Sequence, residues 1–379
     1  MEELKDLRLK IDELDDKIVE LYQERMNIAK QVGLLKKETG NILVDVDREK
    51  SILNRVTSKV EEDIKIYTKQ LFNTLFDTSK AYQSNFLKID SPIKTQLNQA
   101  LLNIEKFPVS ASVACQGVAG AYSSIAAERL FELSDITYFK DFNGVFSAIE
   151  KGFCEYGILP VENSTAGSVN SVYDLMKKHE FYIVKSMSLR VQHCLLTKNG
   201  VKLEDVKEIV SHEQAFNQCK NLLSKLNVKV TIVENTAIAA KMVAESSRTD
   251  LAAISSRECA GIYGLKVLQS NVQDAENNVT RFICISKKLK VFNGANKISL
   301  MLNIPHIKGS LNKILTKFST LNLNLTKLES RPLPNTDFEF AFYFDFEGDV
   351  KDVFVQNLLS ELQNESDSFT FLGYYKEEK

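Results

Sequence analysis

The N-terminal segment of the chain carries an apolar repeat that is interrupted by a cation. Leucine, isoleucine and valine recur every three or four residues over the first 36 positions, the pattern of one face of a long amphipathic helix. The position expected after Leu21 holds Arg25, and Lys36 follows eleven residues later. Eleven residues at about 100° each bring a side chain back to nearly the same face. Two cations therefore lie on the face that the repeat marks for burial.

Two interpretations account for these cations, because a buried unpaired cation costs too much free energy to persist. Arg25 either snorkels to solvent or pairs with a carboxylate of a neighbouring helix. Alternatively, an anionic small molecule binds inside a helical bundle, where such sites are built from facing helices. The helix alone does not decide between them.

Length and composition exclude several classes of protein. A chain of 379 residues predicts two or three domains, and its net charge of −2 gives no indication of nucleic acid or a membrane surface as partner. The charged start lacks the apolar core of a secretory signal, and no apolar run has the length of a membrane span. The six cysteines are scattered without CxxC spacing. This predicts reduced core thiols in a cytoplasmic protein.

Two further helices are expected before residue 87. One begins near Asp45 and carries Asp45, Arg48 and Glu49 on a single face. The other runs from about residue 63 to 86 and presents Ser79 and Gln83, four residues apart, on one side. A solvated helix face explains that polar pair when it is considered alone.

Taken together, these positions resemble the all-helical class of chorismate mutases over roughly the first 90 residues. The resemblance implies an intertwined helical dimer in which Arg8 of one chain enters the site of the other. Chorismate has two carboxylates, for which arginine is the preferred bidentate partner. Lys36 and Gln83 are implied as catalytic donors to the ether oxygen of this pericyclic rearrangement. The implied chorismate-binding residues are Arg8, Arg25, Lys36, Asp45, Arg48, Glu49, Ser79 and Gln83.

A change of pattern after residue 108 indicates an α/β region. Residues 91–108, which include Pro92 and Pro108, are expected to form a linker that is partly helical. A strand-like run, a glycine turn at 117–120 and an alanine-rich helix then form a βα unit. Polar residues cluster at the ends of the later strand-like runs, where open α/β sheets bind ligands. Those runs lie at 156–164, 181–197, 208–212, 229–235 and 250–255.

Five motifs in this region resemble prephenate dehydratases over about residues 110–286. They are GVAGAYSS at 117–124, PVENSTAGSVN at 160–170, SHEQAFNQC at 211–219, ENTAIAA at 234–240 and NVTRFICI at 278–285. The resemblance implies two α/β lobes with a cleft between them, similar to periplasmic binding proteins. The implied lobes are 109–189 plus 273–288, and 190–272, with the last strand returning to the first lobe. Ser124 and Glu213 depart from the family pattern, which often has histidine or glutamate at the first position and proline at the second.

The reaction implied by this resemblance is loss of water and carbon dioxide from prephenate to give phenylpyruvate. The hydroxyl must leave, so a hydrogen-bond donor must lie beside it. Thr280 is implied as that catalytic residue, with Arg281 supplying positive charge, whereas His212 is expected to be structural. The implied prephenate-binding residues are Glu162, Asn163, Ser164, Thr165, Ser211, Gln218, Thr280 and Arg281.

The last ninety residues show the element order βαββαβ, which is typical of ferredoxin-like domains. Two segments in it resemble the effector site of ACT regulatory domains attached to prephenate dehydratases. They are Gly309, Ser310 and Leu311, and Glu329, Ser330, Arg331 and Pro332. The resemblance implies allosteric feedback inhibition by phenylalanine bound at a dimer interface. Ser310 stands where the family usually has alanine, and its added hydroxyl is expected to alter the affinity for phenylalanine.

The sequence therefore predicts a multidomain, bifunctional enzyme of phenylalanine biosynthesis, an isomerase and a carbon–oxygen lyase. Its parts are an all-α domain at 1–90, a linker at 91–108, a two-lobed α/β domain at 109–288 and an α+β ferredoxin-like domain at 296–379. A homodimer or homotetramer is expected, and neither a metal nor an organic cofactor is. The alternative is a catalytically silent protein that binds an aromatic acid and relays it to a partner. Intact Arg25, Lys36, Asn163 and Thr280 count against it.

Overall fold

The computed structural model describes residues 2–39, 46–84, 91–333 and 340–378. Its contacts divide the chain into two compact units. The first comprises Met1–Asn98 and Leu300–Thr370, and the second Gln99–Ser299 and Phe371–Lys379. The helical N-terminal region and most of the C-terminal region thus fall within one unit. The finer domain boundaries that the sequence suggested remain predictions.

Four helices open the chain, and their apolar spacing explains them. They are α1 (Glu2–Thr39), α2 (Val46–Thr57), α3 (Lys65–Ser84) and α4 (Pro92–Leu101). The long first helix is confirmed. It approaches α3 so closely that a Cβ added at Gly33 would lie 3.1 Å from Gln83 Cγ. Helix α4 occupies much of the predicted linker, with a proline at its first position and Ile93 and Leu97 buried. That segment is therefore packed rather than extended.

The apolar stripe of α1 is the main difference from the sequence-based expectation in this region. Leu4, Ile18 and Leu21 are 54%, 61% and 65% exposed, although the repeat predicted burial. Apolar surface of this extent on one helix is typical of an interaction site. Within the described ranges of the chain, no other element covers this apolar stripe.

The second unit contains two sheets with helices around them. The first sheet has β1 (Ser110–Gln116), β2 (Leu133–Phe139), β3 (Tyr156–Asn163), β4 (Gly167–Ser168), β5 (Tyr182–Arg190) and β11 (Val279–Ser286). The second has β6 (Cys194–Thr197), β7 (Glu208–Ser211), β8 (Lys229–Ile232), β9 (Leu251–Ser255) and β10 (Lys266–Gln269). The helices are α5 (Tyr122–Leu130), α6 (Phe142–Glu150), α7 (Asn170–Met176), α8 (Glu213–Gln218), α9 (Lys220–Leu223), α10 (Thr236–Glu245) and α11 (Arg257–Tyr263).

Strand β11 lies in the interior of the first sheet, between β5 and β3. The order is β5-β11-β3-β1-β2 in that sheet and β10-β6-β9-β7-β8 in the second. Strand β11 pairs antiparallel with both β3 and β5, so the predicted return of the last strand to the first lobe is confirmed. The strand-like runs read from the sequence are present, with the run at 181–197 divided into β5 and β6, whereas β2, β4 and β10 were not predicted.

The C-terminal region has the predicted βαββαβ order. Its elements are β12 (Lys297–Asn303), α12 (Ser310–Thr320), β13 (Leu325–Pro332), β14 (Phe340–Glu347), α13 (Val353–Glu365) and β15 (Ser368–Glu378). The strands follow the order β13-β14-β12-β15, which is that of a ferredoxin-like sheet. Strands β12 and β15 each have residues in both units. In the second unit, the end of β15 pairs in parallel with β5, from Lys376 opposite Lys185 to Glu378 opposite Met187.

The six cysteines are all free thiols and all buried, as the sequence predicted. Burial raises the pKa of Cys219 to about 12, so this thiol stays protonated at neutral pH. In the part of the chain that the structure describes, no helix is long and apolar enough to cross a membrane.

Candidate active sites

A cleft of about 520 Å³ lies in the second unit and is lined by strands of its first sheet and by helices and loops that join the strands of its second sheet. Strands β3 and β11 supply Asn163 and Thr280, which are opposite each other in register. A bulge follows immediately, between Arg281 and Phe282. Bulges beside sites re-aim the side chains next to them. Polar side chains at the wall of the cleft include Tyr122, Asn163, His193, Gln218, Asn235 and Thr280.

The orientation of the Asn163 amide is fixed by the backbone. Its Oδ1 accepts hydrogen bonds from the backbone N–H groups of Thr165 (3.1 Å) and Ala166 (2.9 Å). An N–H group can only donate, so the amide nitrogen must face the other way. There Nδ2 donates to Thr280 Oγ1 at 2.8 Å and to Asn278 Oδ1 at 2.7 Å.

The Thr280 hydroxyl is consequently prepared to donate into the cleft. Its oxygen already accepts from Asn163 Nδ2, and it is 8% exposed at the cleft wall. Among the described residues, none accepts the hydroxyl proton in a hydrogen bond. A hydroxyl that accepts one bond and keeps its proton available is suited to protonate or hydrogen-bond a leaving oxygen.

A chain of hydrogen bonds extends from this pair to the second sheet. The Thr165 hydroxyl donates to Asn163 Oδ1 (2.7 Å) and accepts from Gln218 Nε2 (3.1 Å). Gln218 Oε1 in turn accepts from Asn278 Nδ2 at 2.9 Å and lies 2.9 Å from His193 Nε2. Because this amide oxygen can only accept, His193 carries its proton on Nε2. The network fixes Thr165 and Gln218 at the predicted site.

Histidine 193 was not predicted as a site residue. Its ring is 2% exposed, it lines the cleft, and its buried Nδ1 has no partner among the described residues. Burial lowers the pKa of His193, while the hydrogen bond to Gln218 opposes that shift. The ring is therefore neutral at neutral pH and offers an acceptor nitrogen. His193 lies at the start of a strand, and nothing else in the sequence marks it as a site residue.

Five of the predicted prephenate residues do not line the cleft: Glu162, Ser164, Thr165, Ser211 and Arg281. Ser211 Oγ is fully buried and donates to the Ile254 carbonyl at 2.6 Å. Ser164 Oγ donates to the Asn277 carbonyl (2.6 Å) and accepts from the Val279 N–H (2.9 Å). These two serines hold backbone segments in place, and their role as direct ligands stays a prediction.

Arg281 and Glu162 lie on the opposite face of the sheet from the cleft. They are opposite each other in register and adjacent to Thr280 and Asn163, respectively. Successive residues of a strand point to opposite faces. The Arg281 guanidinium instead contacts Tyr375 and Glu377 near the C-terminus. The expectation that Arg281 supplies charge to the substrate stays a prediction, and these contacts do not support it.

His212 behaves as the sequence suggested. Its Nδ1 accepts from the Gln214 N–H at 3.2 Å and caps helix α8, although its ring also lines the cleft. Because one ring nitrogen of His212 is engaged in capping the helix, a structural role explains this histidine.

In the helical region, the structure brings together Arg25 and Ser79. Arg25 Nη1 donates to the Leu75 carbonyl at 3.0 Å and to Ser79 Oγ, and its guanidinium lies 6.0 Å from the centre of the Phe76 ring. Burial lowers the pKa of Arg25, with the nearby Tyr22 acting in the opposite sense. Among the residues that the structure describes, no carboxylate pairs with this cation, which favours an anionic ligand over a structural ion pair.

The other predicted mutase residues differ in exposure. Gln83 is 8% exposed one turn beyond Ser79, whereas Glu49 accepts from Lys80 Nζ at 3.1 Å. Arg8 and Arg48 are exposed, and Lys36 is half-buried near the end of α1. Asp45 lies outside the described residues. The membership of these residues in one chorismate site remains a prediction.

The predicted effector residues lie on two elements of the C-terminal region. Gly309 has a φ of +88° and precedes α12, which begins with Ser310 and Leu311. Glu329, Ser330, Arg331 and Pro332 are on β13, at the edge of the sheet. A cavity of about 270 Å³ is lined by Gly309 together with Glu49 and Lys80. The first effector segment therefore borders the helices of the predicted mutase site.

Two sites of different chemistry thus occur on one chain, which defines a bifunctional enzyme with a helical isomerase region and a bilobed α/β lyase region. Sequence profiles of two families match the corresponding segments. Chorismate mutase type II matches residues 7–84, and Prephenate dehydratase matches residues 113–290.

A relative over the full length joins the two activities. The chain is 31% identical to the bifunctional chorismate mutase/prephenate dehydratase of Escherichia coli strain K12, over 98% of this chain and 96% of that protein. This chain belongs to the bifunctional chorismate mutase/prephenate dehydratase family, and it is an enzyme with both activities.

Two further comparisons cover the dehydratase part. Arogenate dehydratase/prephenate dehydratase 2 of Arabidopsis thaliana, a chloroplastic protein, is 38% identical over 69% of this chain and 72% of its own length. A crystal structure of prephenate dehydratase from Arthrobacter aurescens in complex with L-Phe has a TM-score of 0.64 and 26% identity. It covers 70% of this chain and 89% of that protein. The bilobed α/β fold is therefore shared with a solved dehydratase.

Proposed function

We propose that Arg25, Ser79 and Gln83 form one wall of the chorismate site and that the cleft at Thr280 binds prephenate. Residues 296–379 would sense phenylalanine. The observation that carries this proposal is the Asn163–Thr280 hydrogen bond of 2.8 Å at the wall of the cleft. Because the Thr280 oxygen accepts this bond, its hydroxyl proton remains available to a substrate bound in the cleft.

Mutase chemistry needs positioning and charge, and no nucleophile. Chorismate must be held in a compact conformer while negative charge develops on its ether oxygen. Arg25 would clamp a carboxylate, and the buried amide of Gln83, together with Lys36, would donate to that oxygen. Glu49, Arg48, Asp45 and Arg8 remain proposed members of the site.

Dehydration requires that two bonds break together at opposite ends of the prephenate ring. The bond to the ring carboxylate breaks and releases carbon dioxide, and its electron pair enters the ring. The bond to the ring hydroxyl then breaks, and the oxygen leaves as water after receiving a proton. Thr280 would donate the hydrogen bond to that oxygen. Asn163, Thr165 and Gln218 would hold the donor and the carboxylates in place.

The exposed stripe of α1 supports the proposed dimer. Its leucines and isoleucines are more than half exposed in the single chain, and a second copy of the same helix carries the same apolar pattern. An exposed Arg8 on this helix fits the role of reaching the site of the partner copy. The oligomeric state, a dimer or a tetramer, remains a prediction, and so does location in the cytoplasm.

The βαββαβ region supports the proposed phenylalanine sensor, and the solved Arthrobacter aurescens relative was crystallised with L-Phe. With chorismate as the only substrate, wild-type protein should yield phenylpyruvate, and phenylalanine should suppress this yield and raise the thermal midpoint. Chromatography of chorismate, prephenate and phenylpyruvate measures each step. Tyrosine at the same concentration is the control effector. If phenylalanine changes neither the rate nor the thermal midpoint, the region is not a sensor of it.

The neutral state of His193 predicts how dehydratase activity depends on pH. Burial lowers the pKa of His193 from its ordinary value, so protonation occurs only at more acid pH and converts the Nδ1 acceptor into a donor. We expect kcat/KM for prephenate to decline only at pH values more acid than the ordinary titration range of histidine. A His193→Gln variant, which can still donate to Gln218, should lack this acid decline and lose about tenfold or less in rate.

The matched variant for this prediction is His179→Gln, because His179 contacts Asn143 and Glu150 away from the cleft. It should leave the pH profile unchanged. An acid decline that persists in His193→Gln would assign it to another group.

A further inference from the structure

Arg281 is the nearest cation in sequence to Thr280, and the structure turns it away from the cleft. Its guanidinium is 12% exposed on the opposite face of the sheet. Nε lies 3.0 Å from Glu377 Oε1, and Nη2 donates to the Tyr375 hydroxyl at 2.7 Å. Both partners belong to the last strand, β15, in its part that lies in the second unit.

The path of this side chain crosses strand β5. Arg281 is opposite Ser188 on β5, and Glu377 is opposite Ser186 on the same strand. Serines two residues apart share a face of the strand. Their small side chains leave room for the guanidinium to pass over β5 and reach β15. The three strands are thereby tied together on the face away from the cleft.

Glu377 and Tyr375 are also held from their other side. Glu377 pairs with Lys297, which is 7% exposed, and the Tyr375 hydroxyl lies 2.7 Å from Ser299 Oγ. Removing one partner of such a buried group leaves a charge without compensation, which is strongly unfavourable. The orientation of Arg281 is therefore determined by the C-terminal strand.

The position of Arg281 makes this contact relevant to catalysis. The bulge between Arg281 and Phe282 separates the end of β11, including Thr280, from the regular ladder with β3. An anchor at Arg281 acts on the backbone immediately beside the reactive hydroxyl. Displacing a catalytic group by about 1 Å can cost about a hundredfold in rate.

We propose that Glu377 and Tyr375 are positioning residues for dehydration, acting through Arg281 to aim the Thr280 hydroxyl. Strand β15 then contributes to dehydratase catalysis, in addition to any effector role of the region that precedes it. This inference rests on the proposed role of Thr280. In this proposal, Arg281 does not bind substrate and instead positions the backbone beside Thr280.

The experiment compares Glu377→Gln with wild-type full-length protein, using prephenate as substrate. Dehydratase kcat should fall about ten- to a hundredfold, whereas KM should stay within about twofold because no substrate contact is removed. Mutase turnover of chorismate, measured on the same preparation, should be unchanged and reports that the variant is folded. A double variant, Glu377→Gln with Arg281→Gln, should be no slower than Arg281→Gln alone.

The matched control is Glu378→Gln. Glu378 is the next residue of the same strand and pairs with Lys185 at 2.8 Å, without contacting Arg281. It should retain wild-type kcat. Tyr375→Phe removes only the hydroxyl and should lower kcat in the same direction, which keeps the test open if Glu377→Gln fails to fold.

Wild-type kcat in both Glu377→Gln and Tyr375→Phe overturns the proposal. So does a raised KM with unchanged kcat in Arg281→Gln, because that result assigns Arg281 to the substrate. If wild-type protein itself does not convert prephenate, the proposed function fails, which is a separate outcome from failure of this inference.

Discussion

A Thr280→Val variant is expected to convert chorismate to prephenate at the normal rate and then to accumulate prephenate. Valine has nearly the shape of threonine, so the substitution removes the hydroxyl without opening a cavity. Loss of a positioned proton donor costs about a hundred- to ten-thousandfold in rate. Phenylpyruvate formation from added prephenate should fall within that range, as followed by chromatography or absorbance.

Two companion variants make this result specific. Thr280→Ser keeps the hydroxyl and should retain much of the activity. Thr197→Val removes a buried hydroxyl on β6 that donates to the Lys198 carbonyl, away from the cleft, and should be silent. Normal phenylpyruvate production by Thr280→Val would remove Thr280 from the mechanism and leave the Asn163 network without its proposed purpose.

An Arg25→Ala variant is expected to lose mutase turnover by at least about a hundredfold, because it removes a preorganised cation from a water-poor site. The guanidinium is already oriented by the Leu75 carbonyl and Ser79, so no reorganisation is needed when substrate binds. Dehydration of added prephenate should proceed as in the wild type. The assay is disappearance of chorismate at several concentrations. Arg55→Ala, an exposed arginine on α2, is the control.

The same site offers a test of the proposed interchain arrangement. Arg8→Ala and Arg25→Ala chains should each be inactive as mutases when alone. In a heterodimer, one site receives both mutated residues and the other receives neither. Re-associating equal amounts of the two should therefore restore about a quarter of the wild-type activity. Absence of recovery, with heterodimers shown to form, would place Arg8 outside the partner's site.

Local patterns were sufficient to predict most of the elements. The spacing in α1 and α3 and the short apolar runs of β3, β7 and β9 are properties of short segments, so they can be read without knowing the fold. The pairing of β15 with β5 could not be read in this way. It joins Lys376 to Lys185 across almost two hundred residues, and nothing in either segment specifies the other.

The candidate dehydratase site shows where motif-based prediction stops. Thr280 and Asn163 were identified from motifs, and the structure places them in hydrogen-bond contact. Arg281 and Glu162 were assigned to the same site as their neighbours Thr280 and Asn163. Successive residues of a strand point to opposite faces, so this rule argues against placing both members of either pair in one cleft. Ser164 and Ser211 could not have been excluded, because a serine hydroxyl turns readily to a nearby backbone carbonyl and only the fold shows which one is near.

Strand β15 has a consequence for how the protein is made. Synthesis proceeds from the N-terminus, and domains commonly fold as they emerge from the ribosome. The dehydratase sheet cannot do so completely, because the strand beside β5 is β15, which follows β11 by more than eighty residues. Until β15 has left the ribosome, β5 presents an unpaired edge, the kind of surface through which chains aggregate. Formation of the lyase sheet is thus coupled to synthesis of β15, whereas α1, α2 and α3 can associate much earlier.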